Sequence, residues 1–143
     1  LGYSITEKKD LVVIQRQKNG RTVTVSWDPG NTIIPSIPTR KYTTKEVFEE
    51  QDIYLTISVH NQRKTLFFEG VVGDSNQLLL YSITPGRLSE YSGKLRLSQL
   101  SEEIQLKLYD YMETLGTGDG MANFIAEYNS LRRLHFIQKQ LSK

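Results

Sequence analysis

The sequence predicts an α+β fold: an antiparallel sheet of about seven strands over residues 1–98, followed by two helices over residues 99–143. Three observations carry that prediction. Apolar and polar residues alternate with a period of two at several places in the first two thirds of the chain. Turn-forming residues separate these stretches closely enough to join them as an antiparallel meander. Beyond about residue 100 the apolar period becomes helical and remains so to the end.

Taken in order, Leu1 to Asp10 alternates like a strand, and with Glu7 and Asp10 inside it is unlike a signal or transit segment. Leu11 to Gln17 (LVVIQRQ) is a second strand. Asn19-Gly20 then supplies two residues that tolerate positive φ, the strongest short hairpin signal. Val23, Val25 and Trp27 alternate with Thr22, Thr24 and Ser26 as a third strand. Pro29 to Gln51, with Pro29, Pro35 and Pro38, a basic patch at Arg40-Lys41 and acids at Glu46, Glu49 and Glu50, is expected to be a long mobile loop. Ile53, Leu55, Ile57 and Val59 alternate with Tyr54, Thr56, Ser58 and His60 as a fourth strand. Breaks at Asn61-Gln62, Gly73 to Asn76 and Pro85-Gly86 separate the strands expected at Lys64 to Val72, Gln77 to Ile83 and Gly93 to Gln99.

The helical part has its own punctuation. Ile104, Leu108, Tyr111, Met112 and Leu115 form one stripe. Ser101 is the expected N-cap, and Glu102 and Glu103 put negative charge in the first turn. In the second helix Phe124, Ile125, Tyr128 and Leu131 lie on one side. Leu134, Ile137 and Leu141 continue on a rotated stripe. Such a helix faces two surfaces, its own sheet and something else, which suggests a partner subunit or else a helix well buried within the domain.

Composition bounds the function. The 143 residues suit a single domain spanning 1–143. Cysteine is absent, so there is no disulfide framework, thiolate nucleophile or zinc–thiolate site. No apolar run approaches the ~20 residues of a membrane span. The net charge of +2 gives no strong argument for nucleic acid or membrane. From Glu102 to Glu127 the acids outnumber Lys107, whereas Arg132, Arg133, Lys139 and Lys143 follow with no acid. That order complements the dipole of the last helix, which is favoured over a dedicated basic binding patch.

The run GTGDGMANFIAEY, Gly116 to Tyr128, raises the question of a phosphate-cradling loop. A dinucleotide loop needs a strand before it, and here a helix precedes. Gly-Lys-Ser/Thr is missing as well, so it is no Walker loop. Gly116 fits the left-handed residue that ends a helix, and Asp119 or Gly120 can start the next. His60 and His135 have no second histidine or cysteine at metal spacing. There is no Gly-x-Ser-x-Gly. The adjacent pairs Glu49-Glu50 and Glu102-Glu103 point apart and are solvated charge. Trp27, Tyr54, Phe67, Phe68 and Tyr81 could form a base-stacking platform, but without the ribonucleoprotein motif core packing is the default. No catalytic, cofactor-binding or metal-binding residues are indicated.

The order of parts resembles the mitochondrial acidic matrix protein family. The residues that carry the likeness are VTVSWDPGNTIIPSIP (Val23 to Pro38), TLFFEGVV (Thr65 to Val72) and, above all, Leu100 to Lys143. That last stretch has an apolar helix, a short glycine corner, Asn-Phe-Ile-x-Glu-Tyr and a second apolar helix. The resemblance implies a strongly twisted antiparallel sheet in a ring-shaped homotrimer of the mitochondrial matrix, knit together by its terminal helices. It implies no catalysis and no cofactor. Family members act as adaptors in mitochondrial RNA processing, ribosome assembly and translation, and a kinetoplastid member is linked to RNA editing. They are usually strongly acidic, whereas this chain is nearly balanced.

Two functions follow as expectations. In the first, the chain is a non-enzymatic matrix adaptor that joins mitochondrial RNA-processing or translation proteins. Its subunits would meet through Phe124, Tyr128, Leu131, Leu134, Ile137 and Leu141. In the second, it is a direct RNA-binding module using Arg16, Lys18, Arg21, Lys94 and Arg96 on the exposed sheet face, with salt-dependent phosphate contacts.

Overall fold

The computed structural model describes residues 2–8, 10–29, 52–62, 64–73, 75–86 and 94–142. The connection expected to be mobile at 29–51 lies outside them apart from Pro29. Seven strands form one antiparallel sheet in chain order: β1 (Ser4–Lys8), β2 (Leu11–Lys18), β3 (Arg21–Trp27), β4 (Ile53–His60), β5 (Thr65–Val72), β6 (Leu78–Pro85) and β7 (Leu95–Arg96). Two helices follow, α1 (Glu102–Thr114) and α2 (Asp119–Leu141). This is the α+β order read from the sequence.

The alternation dictates which face is covered. Val12, Trp27, Leu55, Gly70 and Leu80 line up in one row across five strands, and Ile14, Val25, Ile57 and Phe68 in the next. All are buried. Met112 and Leu115 of the α1 end and Met121, Ala122 and Ile125 of α2 complete the same core. At the β2–β3 hairpin Asn19 and Gly20 both adopt positive φ, 53° and 75°, as that two-residue turn demands.

Two elements depart from expectation. The strand expected at 93–99 pairs only through Leu95 and Arg96 and then tightens into a 3₁₀ turn at Leu97–Gln99. The Gln99 side chain accepts from the Arg96 N–H, and Leu97 turns inward to the core. Ile104 belongs to the expected stripe of α1 yet is 47% exposed. Ile104 faces away from the core, and the burial of α1 is concentrated at Met112 and Leu115.

The glycine run is a corner between helices. Ser101 caps α1 by accepting from the Ile104 N–H at 3.3 Å. Gly116 takes φ 76°, its N–H reaches the Glu113 carbonyl, and the Thr117 N–H reaches the Met112 carbonyl at 3.0 Å. This is the paired closure that ends helices in a left-handed residue. At the start of α2 the Asp119 N–H donates to the Glu113 carboxylate at 3.3 Å. The position a phosphate would need is held by the protein's own carboxylate.

Candidate interaction surfaces

Helix α2 divides into two halves. Its first half is fastened to the sheet. Trp27 Nε1 donates to Asn129 Oδ1 at 2.8 Å in a buried setting, and the Trp27 ring meets Tyr128 edge-on with centroids 6.0 Å apart. From Ser130 to Ser142 every side chain with a described environment is exposed. Along that second half Leu131, Leu134, Ile137 and Leu141 are 66%, 51%, 46% and 79% exposed. At 3.6 residues per turn this stripe lies roughly half a turn round from the buried side. A free helical segment of about three turns is marginal in water on its own. The six expected interface residues therefore separate. Phe124 and Tyr128 are half-buried in the chain's own core, and the other four are open to a partner.

At the junction of the two halves, the Glu7 carboxylate on β1 accepts from the Tyr128 hydroxyl and from Arg132. The Tyr128 hydrogen bond, then Arg132, hold the Glu7 carboxyl below its ordinary range. A depressed carboxylate pKa contributes stability that is present above the unfolded value and lost as pH falls through the folded one. We therefore expect Glu7→Gln to lower the melting temperature slightly at neutral pH, with the difference disappearing in acid. A difference that stayed constant from neutral to acid pH would contradict a carboxylate clamp.

The face of the sheet away from the helices holds a second cluster. A bulge between Glu69 and Gly70 leaves Tyr81 unpaired in the ladder, so Tyr81 and Ser82 both reach Glu69. The Tyr81 hydroxyl donates at 3.1 Å, the Ser82 hydroxyl at 3.0 Å, and Lys94 Nζ lies at 2.5 Å. Burial pushes the Glu69 carboxyl up, but the hydrogen bonds from Lys94, Ser82 and Tyr81 outweigh it, and its pKa is lowered overall. Burial, the hydrogen bond with Tyr54 and the charge of Glu69 push the Tyr81 hydroxyl far up. A groove beside the cluster is lined by Tyr81, Ser82, Lys94, Arg96, Ser98 and Gln105 among others.

The five basic candidates do not share one face. Arg16 and Lys18 continue the register of Val12 and Ile14, and Arg21 that of Val23, so these three lie on the helix-bearing side. Lys94 and Arg96 lie on the other side, and Lys94 is paired with Glu69. The aromatic residues split likewise. Trp27 and Phe68 are buried in the core, whereas Tyr54, Phe67 and Tyr81 are half-buried on the far face. Tyr54 and Tyr81 stand edge to face with centroids 5.3 Å apart. His60 is bound to Thr65 at 2.7 Å, and His135 is exposed. Among the described residues no three potential metal ligands converge, and no helix is long and apolar enough to cross a membrane.

Sequence reading did not find the Glu7 and Glu69 clusters. A charge inside the apolar run LFFEGVV was a usable signal, but its partners lie across a bulge that the sequence does not mark.

No protein-family model and no curated protein matches the sequence. Solved structures do match. A Leishmania major protein of unknown function, described as a sequence homologue of human p32 protein, superposes with a TM-score of 0.74 at 12% identity. The match covers 99% of this chain and 80% of the other. The Trypanosoma brucei p22 protein superposes with a TM-score of 0.69 at 16% identity, over 90% of this chain and 71% of its own. The fold is thus shared over nearly the whole chain.

Proposed function

We propose that the chain is a divergent member of the mitochondrial acidic matrix protein family, to which human p32 belongs, and that it works as a non-catalytic adaptor in the mitochondrial matrix. It assembles as a ring-shaped homotrimer, and its partners are proteins of mitochondrial RNA processing, such as RNA editing, or of translation. Two kinetoplastid structures share its fold, one of them described as a homologue of p32, and this supports the family assignment. The observation that carries the adaptor reading is the open apolar stripe of Leu131, Leu134, Ile137 and Leu141. Exposed apolar patches of that kind mark protein contacts. Direct RNA binding is the weaker reading, because its five cations are divided between the two sheet faces.

Light scattering on the purified chain at micromolar concentration tests the assembly. The expected mass is three times the 16.5 kDa protomer. Leu134→Glu combined with Ile137→Glu is expected to reduce it to the protomer mass with the sheet signal retained, while the uncovered second half of α2 loses helix content. A parent chain that runs as a monomer would remove the ring.

A further inference from the structure

We infer that Arg16, Lys18 and Arg21 form a docking site for a short acidic segment of a partner protein. The inference goes beyond the adaptor reading, which assigns no contact to this face.

Three observations carry it. First, Lys18 and Arg21 are cross-strand partners at the end of the β2–β3 hairpin, and Arg16 follows on the same face. Like charges placed opposite each other destabilise a sheet. Among the described residues no carboxylate pairs with any of the three to offset this. Second, both guanidinium groups are held by aromatic rings. Arg16 lies 5.2 Å from the Tyr3 ring centroid and Arg21 lies 5.9 Å from that of Tyr111. Tyr3 is itself fixed by donating its hydroxyl proton to the Gly116 carbonyl at 3.0 Å. The forks are therefore oriented before any ligand arrives. Third, all three side chains are half-buried and Arg16 Nε is closed to solvent, so a charge-assisted contact to this cluster is screened less than one at an open surface. A carboxylate matches the guanidinium fork in geometry and charge.

The surroundings favour a peptide over a nucleic acid. Lys18 and Arg21 face each other at the hairpin end and Arg16 lies two residues along β2, a short span that two or three carboxylates of a peptide can cover. The Tyr3 and Tyr111 rings are covered by guanidinium groups, so they are not free to stack on bases.

Fluorescence anisotropy at low ionic strength, with labelled hexaglutamate and labelled hexauridylate as probes, tests the site. The expected result is capture of hexaglutamate, weakened roughly five- to tenfold in the Lys18→Gln, Arg21→Gln double variant. Arg96→Gln, on the other face, leaves it unchanged. The double variant is expected to melt close to the parent, because relief of the opposed charges offsets loss of the Arg21–Tyr111 contact. An unchanged affinity in the double variant, an equal loss in Arg96→Gln, or no capture of hexaglutamate overturns the inference. Tighter capture of hexauridylate through Lys18 and Arg21 overturns it in favour of a nucleic-acid surface.

Discussion

Trp27→Ala is expected to destabilise the fold by about 3–5 kcal/mol, measured by urea denaturation followed by circular dichroism. The ring is 1% exposed and joins three elements. It lies in register with Val12 of β2 and Leu55 of β4, and its edge meets Tyr128 of α2. Truncation opens a cavity that these walls cannot close. It also removes the donor to Asn129 Oδ1, a side chain 6% exposed, and an orphaned buried acceptor costs about 1–3 kcal/mol. Against a total stability of about 5–15 kcal/mol, the loss leaves the variant near the folding threshold. Trp27→Phe and Asn129→Leu separate the two parts. Each single change strands one polar group, whereas the pair strands neither, so the double variant should lose less than the sum. All variants are compared at one protein concentration, because the proposed assembly would add concentration-dependent stability. A loss in Trp27→Ala below about 1 kcal/mol is incompatible with this burial.

How far the sequence could be read follows from the range of the forces involved. Local signals were sufficient for β3 and β4, where strict alternation assigns Val23, Val25, Trp27, Ile53, Leu55, Ile57 and Val59 to one buried face. They were sufficient for the corner, because Gly116 has to supply a positive φ whatever surrounds it. The rotated stripe of Leu134, Ile137 and Leu141 on α2 was legible from period alone. Leu131, read on the side of Phe124, Ile125 and Tyr128, is 66% exposed and joins the open stripe instead.

Contacts between distant segments were not legible. Trp27 and Asn129 are 102 positions apart, and neither residue type predicts the other. Tyr128 looked like a partner-facing aromatic, yet its hydroxyl is committed to Glu7, 121 positions away. The basic candidates illustrate the same limit. Parity along β2 and β3 puts Arg16, Lys18 and Arg21 on one face, but the covered face is fixed by the helices, whose placement depends on long-range packing. Charge alone could not tell those three from Lys94 and Arg96 on the opposite side.

Gly116→Ala is expected to cost roughly 2–3 kcal/mol, the sum of a backbone and a side-chain effect. The backbone part is general. A residue with a Cβ held at φ 76° pays about 1–2 kcal/mol. The side-chain part belongs to this corner. An added Cβ would lie 2.3 Å from Arg16 Nη1, so the guanidinium has to leave its position over Tyr3. Displacement also disturbs Tyr3, whose hydroxyl holds the Gly116 carbonyl. The two parts separate in an Arg16→Ala background, where the space is free and only the backbone cost should remain. Equal costs in both backgrounds would mean that the guanidinium does not occupy the corner. The same variant bears on binding. Gly116→Ala changes no charge, yet by moving the Arg16 fork it should weaken hexaglutamate capture. Unimpaired capture would take Arg16 out of the site and leave Lys18 and the Arg21 fork held at Tyr111.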